Sequence, residues 1–174
     1  MTWTAARIRS AAATIDLLNR IICDMQDITY TATATAPDTW DALQRSAKWG
    51  DQGAAFGYDW HALRHREVWN GASDKTIFAT DEQNFRARAV HDYVHLLTGN
   101  GFTPDGERAT CKAQVELMRS AGTFFSDLSD AIAVVRAEVA GQVDYNESHG
   151  GAFPDDQLQF DLDYLNGIDP ADMA

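Results

Sequence analysis

Two histidines, His91 and His95, stand four residues apart in the segment NFRARAVHDYVH, and Asp92 directly follows the first. Residues i and i+4 lie on one face of a helix, so a helix here would present both imidazoles side by side. Helices offer two nitrogen ligands to one zinc ion in this way. The spacing therefore predicts one half of a metal site, to which other segments would add carboxylate ligands.

Two glutamates lie where neighbouring helices would bring them to these histidines. The segment TGNGFTPDG reverses the chain after the histidine helix. A helix over about 107–121 would then return antiparallel, with Glu107 in its first turn. A third helix over about 126–140 would bring Glu138 back to the same level. Two histidines and two glutamates are thus predicted to converge at one end of a three-helix bundle.

The same residues also have structural interpretations. Glu107 at a helix N-terminus would stabilise the helix macrodipole, and Glu138 lies near Arg136 in the sequence, which suits a solvated side chain. Cys111, one turn beyond Glu107, is interpreted as a small buried residue rather than as a fourth ligand.

Helical patterns dominate the chain. Thr80 and Gln83 form a capping box that opens the histidine helix over about 81–97, and a short final helix is expected around 157–165. Near the N-terminus, apolar residues recur with a helical period and predict a long amphipathic helix. These residues are Ile8, Ala12, Ile15, Leu18, Ile22 and Met25.

Extended structure is expected only at the periphery, in residues 28–36 and 75–79. The Gly-, Asp- and Trp-rich stretch 38–73 is interpreted as a loop-rich cap with short helices. The chain is therefore predicted to be a mainly α, single-domain helical bundle with short peripheral extended segments. Its parts would be the long helix and cap (1–80), the His/Glu core (81–145) and a tail with a short helix (146–174).

The charge balance bounds the partners. Fourteen lysines and arginines against 26 acidic residues give a net charge of −12, which argues against direct binding of nucleic acid or of anionic membranes. A protein partner is expected instead, and mimicry of DNA is a minor alternative. No stretch has the apolar length of a membrane span, and Cys23 and Cys111 are expected to be free thiols.

Four motifs occur in order from Phe85 to the tail: NFRARAVHDYVH, GFTPDGERA, EVAGQVDY and AFPDDQLQF. The series resembles a phage-associated domain found in large polyvalent proteins and in small stand-alone phage proteins. That domain often sets its histidines five apart, whereas here they are four apart. The resemblance implies a host-cytoplasm or virion setting and a zincin-like zinc site. The positions it singles out are His91, Asp92, His95, Glu107, Glu138 and Gln142.

Three functions fit these observations. The first is a zinc-dependent hydrolase of zincin-like type, with ligands drawn from His91, His95, Glu107 and Glu138. Peptidases of the H-E-x-x-H kind place a glutamate after the first histidine, where this chain has the shorter Asp92. Asp92 and Glu107 are the candidate catalytic residues, and Asp92 could instead orient a ligand while Glu107 or Glu138 acts as base.

The second function is a phosphohydrolase of HD type, which uses a histidine, a His-Asp pair and a distant aspartate. His61 or His65, the pair His91–Asp92, and Asp127 or Asp130 occur in that order. The third is a non-catalytic phage protein, either a virion component or an acidic binder of a host factor. Its metal site would be structural or absent, and its tryptophans could serve as interface anchors.

Overall fold

The computed structural model describes residues 2–47, 63–71 and 75–173. The regular elements, in chain order, are α1 (Ala5–Gln26), β1 (Thr29–Thr33), α2 (Trp40–Ser46), β2 (His65–Trp69), α3 (Asp81–Thr98), α4 (Pro104–Ala121), α5 (Leu128–Arg136), a π-helical turn (Ala137–Gly141), α6 (Gln142–Ser148), α7 (Gln157–Leu165) and a 3-10 turn (Pro170–Asp172). The prediction of a mainly α, single-domain fold is confirmed.

Helix α1 lies at the centre and contacts α3, α4 and α5. Its predicted apolar face is buried at Ile8, Ile15, Leu18 and Ile22, but Met25 is exposed, so the predicted face ends one turn early. Burial of such side chains is the main favourable contribution to folding.

A buried ion pair joins α1 to α3. The Asp16 carboxylate accepts hydrogen bonds from Arg86 on α3 and from Arg20 one turn along α1. The Arg86 side chain is itself mostly buried, and Gln83 also reaches Asp16, at 3.4 Å. The segment FRARA carries two arginines, Arg86 and Arg88, and this ion pair explains how the first of them is buried.

The sheet consists of two parallel strands, with Thr29 opposite His65 and Thr33 opposite Trp69. The extended segment predicted near 28–36 is confirmed as β1. The strand predicted at 75–79 is wrong, because these residues form turns and bends. Strand β2 lies in the stretch interpreted as a loop-rich cap. It was missed because its alternation of buried and exposed residues covers only five positions.

The third helix of the predicted bundle does not end at Gly141. Helix α5 passes into the π-helical turn and continues as α6 as far as Ser148. The backbone at Gly141 is right-handed helical, so this glycine does not act as a left-handed helix terminator. The predicted helix end is therefore wrong, and the added turn places the Gln142 side chain in the core.

Cys23 and Cys111 are both buried free thiols. Burial raises the pKa of each thiol above its usual value, which disfavours the reactive thiolate. Among the described residues, none of the helices is both long and apolar enough to cross a membrane.

Candidate metal centre

Three side chains direct one ligand atom each to a common point. His91 Nε2 and His95 Nε2 lie 3.0 Å apart. Glu107 Oε2 lies 3.1 Å from the first and 3.2 Å from the second. Among the described residues, these three form the group whose geometry could hold a metal ion. The predicted convergence of the histidines with Glu107 is thus confirmed.

Helix α3 positions both histidines. It begins at the Thr80 cap, whose hydroxyl accepts a hydrogen bond from the Gln83 amide, and it ends in a left-handed residue at Gly99. The chain then turns so that the Asn100 carbonyl accepts a hydrogen bond from His95 Nδ1, at 2.9 Å. The Phe102 ring packs edge-on against the His95 imidazole, which is fully buried.

The Nδ1 contacts fix the tautomers of both imidazoles. The Asn100 carbonyl can only accept, so His95 Nδ1 carries the hydrogen and Nε2 keeps its lone pair when the ring is neutral. His91 Nδ1 lies 3.1 Å from Gln114 Oε1, which likewise can only accept. In the neutral rings both Nε2 lone pairs therefore face Glu107, and a hydrogen bond from either Nε2 to its carboxylate requires an added proton. Histidine ligands in metal proteins are oriented in this way by the partner of their other nitrogen.

Helix α4 supplies the third ligand and part of this support. Glu107, Thr110 and Gln114 follow each other at i, i+3 and i+7, so they share one face. The Thr110 hydroxyl lies 3.1 Å from His95 Nδ1. The helix begins at the Thr103 cap. Gly106 lets its first turn approach the preceding loop, because a Cβ there would lie 1.9 Å from the Gly101 carbonyl oxygen.

The donor set and its spacing fit a zinc ion. Two imidazole nitrogens and one carboxylate oxygen form a ligand set of catalytic zinc sites. With bonds of about 2.0–2.1 Å, tetrahedral ligands lie roughly 3.3 Å apart. The observed separations of 3.0 to 3.2 Å are close to that value. The residues present therefore fit the metal that the sequence predicts.

The three groups are also strongly coupled electrostatically. Burial would raise the pKa of Glu107, but hydrogen bonds with His91 and His95 outweigh it and lower that pKa to about 2. Burial would lower the pKa of His91, and the hydrogen bond and charge of Glu107 raise it above its usual value instead. An anionic carboxylate beside two imidazoles favours a cation at this point, either a proton or a metal ion.

A cavity of about 570 Å³ adjoins this group. His91 and Glu107 line it, together with four further acidic residues, Asp38, Glu67, Asp92 and Glu138. Burial raises the pKa of Asp92 to about 6, while the charges of His91, His95 and Arg66 act in the opposite direction. Aromatic side chains form much of the remaining wall, namely Trp69, Phe78, Phe102 and Phe153.

Arg66 on β2 is fully buried behind Asp92, and its three side-chain nitrogens have no hydrogen-bond partner among the described residues. Burial lowers the pKa of Arg66 to about 10, against the charges of Asp92 and Glu67. A buried guanidinium favours an anionic neighbour. Arg66 therefore favours the ionised form of Asp92 at the cavity wall.

Glu138 was predicted to be a metal ligand, and the structure does not bring its carboxyl group into the three-residue group. In the π-helical turn, the side chain interacts instead with Asp161 on α7 and with Gln142. Glu138 still lines the cavity. Glu107 was predicted as a ligand and as a candidate catalytic base, and the structure places its carboxylate in the ligand group.

The residues predicted for an HD-type site are not brought together with His91. His65 is exposed on β2, with its Nδ1 2.9 Å from the Thr29 hydroxyl. Asp130 forms a two-pronged ion pair with Arg7, and Asp127 is exposed at the start of α5. His61 lies outside the described residues. Cys111 is buried with its sulfur 4.0 Å from the Val135 carbonyl, and it lies outside the ligand group.

Sequence reasoning missed the residues that support the ligands. Thr110 and Gln114 could have been found, because they repeat the helical face of Glu107. The burial of Asp161, which neighbours Glu138 and not a ligand, could also have been found, since it lies three residues after Leu158 and four before Leu165 on the apolar side of α7. The Asn100 carbonyl could not, because a backbone group has no sequence signal.

Comparisons with known protein families, curated proteins and solved structures give no match to this chain. The resemblance to a phage-associated domain therefore stays a prediction. What the site can do is inferred from its own geometry.

Proposed function

We propose that this protein is a metal-dependent hydrolase that binds one zinc ion through His91, His95 and Glu107. The observation that carries this proposal is the convergence of two imidazole lone pairs and one carboxylate oxygen within 3.2 Å of one another. Both tautomers are set by acceptors on the far side of the rings. Such preparation favours a resident metal over a chance cluster.

Catalysis is favoured over a structural role because the group has three ligands among the described residues and borders a cavity. Structural zinc sites are closed by four protein ligands, whereas catalytic sites keep one position open. Bound zinc would lower the pKa of a water molecule and polarise a substrate carbonyl. Asp92 stays a candidate catalytic residue, since it lines the cavity directly after a ligand.

Metal analysis and an activity screen test the proposal together. Purified protein should contain about one zinc per chain, and X-ray absorption should show two imidazoles, one carboxylate and one water oxygen on the metal. Zinc-loaded protein should cleave members of a mixed fluorogenic peptide and ester library, and E107Q should not. Four protein ligands on the zinc would indicate a structural site instead. Zinc content no higher than in the H91A/H95A double variant would overturn the proposal.

The biological setting is the other part of the proposal. The motif resemblance supports a phage protein that acts in the host cytoplasm or is packaged in the virion, and the net charge of −12 supports a protein partner rather than nucleic acid. Immunodetection in purified virions and in infected-cell lysate would separate the two locations. A host-encoded gene without a prophage around it would contradict the phage setting.

A further inference from the structure

Glu138 in the wall of the cavity and Asp161 on α7 form a pair of neighbouring acids. Asp161 has no exposed surface, and the charge of Glu138 acts on its carboxyl group. Glu138 lies in the π-helical turn and lines the cavity beside His91 and Glu107. The pair therefore connects the buried side of α7 to the space next to the candidate metal centre.

The pair lacks donors and counter-charges. Both Asp161 oxygens and Glu138 Oε1 are buried without a hydrogen-bond donor among the described residues. Among those residues, no lysine, arginine or histidine charge contributes to the pKa shift of either group, and the interactions that favour the anion of Glu138 are those with Asp161 and with the Gln142 amide. Two ionised carboxylates have no hydrogen to share. One proton on the pair would supply the hydrogen that these oxygens lack.

The local backbone is built for this contact. The π-helical turn Ala137–Gly141 interrupts an otherwise α-helical segment, and such turns occur often at functional sites. At Gly141 a Cβ would lie 3.0 Å from the Tyr164 ring. The missing side chain lets α7 approach the turn closely enough for Asp161 to meet Glu138.

We propose that Glu138 exchanges a proton with the substrate in the cavity, and that Asp161 is a positioning residue that keeps one proton on the pair. This inference rests on the proposed hydrolase function for the identity of the reaction, but the shared proton does not depend on a metal. Burial raises the pKa of both carboxyl groups, and the charge of Glu138 raises that of Asp161 further. Both effects favour retention of the proton at neutral pH.

The number of protons on the pair is the same before and after one hydrolysis. The pair begins with one proton shared between two carboxyl groups. A water oxygen forms the new bond to the substrate carbonyl carbon, and the water's proton passes to Glu138. The bond to the leaving atom breaks, and Glu138 returns one proton to that atom. The pair ends with the single proton with which it began, so no other reactant is needed.

Infrared difference spectroscopy of the full-length protein tests the shared proton. At pH 7 the wild type should show the carbonyl stretch of one protonated carboxyl group, E138Q and D161N should each shift that band, and the double variant E138Q/D161N should lose it. The matched control is D163N, on the same helix, whose carboxylate accepts a hydrogen bond from Gln159. If the variants fail to fold, a pH titration of this band in the wild type still measures the protonation of the pair. A missing band in the wild type, or one that survives in E138Q/D161N, would overturn the pair.

A second arm tests whether Glu138 meets an occupant of the cavity. Acetohydroxamate added to zinc-loaded protein should shift the carboxyl band in the wild type and in D163N. An unshifted band, or E138Q losing zinc as strongly as E107Q, would overturn the proton-exchange role. Zinc affinity in E138Q and D161N should stay within about threefold of the wild type. If the wild type does not bind zinc, the proposed hydrolase function is wrong, and so is the role of Glu138 in it. The infrared band would still test whether Glu138 and Asp161 share a proton.

Discussion

The Nε2 atoms of His91 and His95 lie 3.0 Å apart, and Glu107 Oε2 lies within 3.2 Å of both. Each imidazole directs its Nδ1 to an acceptor, so the neutral rings present two lone pairs and a carboxylate to one point. Such an arrangement is repulsive until a cation occupies that point. In the metal-free protein a proton must be the cation that relieves this repulsion, and a zinc ion would replace that proton.

Removal of any one ligand should weaken zinc binding at least a hundredfold. H91A, H95A and E107Q each leave two ligands, which is too few for a stable protein zinc site. The control is H65A, because His65 is exposed on β2 and bonds to Thr29, and C111S should also retain most affinity. Competition against a chromophoric chelator measures each constant. A ligand variant within threefold of the wild type would remove that residue from the site.

Gln114→Leu should weaken zinc binding by about 10- to 100-fold, the usual effect of losing a group that orients a ligand. The Gln114 amide oxygen lies 3.1 Å from His91 Nδ1 and sets the tautomer of that ring. Leucine fills a similar volume without an acceptor. Gln159→Leu, on the exposed side of α7, serves as the matched control. Equal affinities in the two variants would show that His91 needs no such support.

Zinc affinity should fall as the pH drops, because imidazole must lose its proton before it binds metal. The pKa of His91 is raised, so protons compete at a higher pH than at an ordinary histidine, whose pKa is about 6.5. The expected loss is up to about tenfold per pH unit for each imidazole that titrates. Calorimetry between pH 5 and 8 measures it. An affinity that is constant over this range would contradict ligation by histidine.

The sequence predicted those parts of the site that depend on local periodicity. The i, i+4 histidines and the first turn of the next helix follow from helix geometry, and both are confirmed. Counting residues along α-helices also predicted that Glu138 returns to the same end of the bundle. It could not predict the π-helical turn, in which Gly141 lies close to the Tyr164 ring. Without that turn, Asp161 could not be recognised as the partner of Glu138.

Asp161→Asn should flatten the dependence of stability on pH. Burial and the charge of Glu138 raise the folded-state pKa of Asp161, so the folded state binds a proton that the unfolded state releases above about pH 4. The contribution of Asp161 to wild-type stability should therefore be fully present below about pH 4 and be lost as the pH rises, by up to about 1.4 kcal/mol per unit. Asparagine mimics the protonated acid and removes this part of the slope.

Urea unfolding at intervals from pH 5 to 9 would measure that slope, with D163N as the control that should follow the wild type. At pH 8 the D161N protein should be more stable than the wild type. A wild-type stability that rises with pH, in parallel with D161N, would mean that Asp161 is ionised in the fold.

Gly141→Ala provides the sharpest test of the packing that creates the acid pair, because two effects of opposite sign compete. The backbone at Gly141 is ordinary right-handed helix, where alanine is favoured over glycine by about 1 kcal/mol. The new Cβ, however, would lie 3.0 to 3.1 Å from three carbon atoms of the Tyr164 ring. Tyr164 stacks on the buried Phe160 ring, which resists its displacement.

We expect the crowding to outweigh the helix preference and to destabilise the protein by about 1–3 kcal/mol, the usual range for overpacking. G141A should also shift the infrared band of the protonated carboxyl group, since α7 would move Asp161 away from Glu138. Replacing the Tyr164 ring by the smaller leucine side chain, in G141A/Y164L, should recover part of the lost stability. A double-mutant cycle of unfolding free energies in urea would measure the coupling between the two positions. If G141A alone is more stable than the wild type, the close approach of α7 to the π-helical turn does not constrain this position.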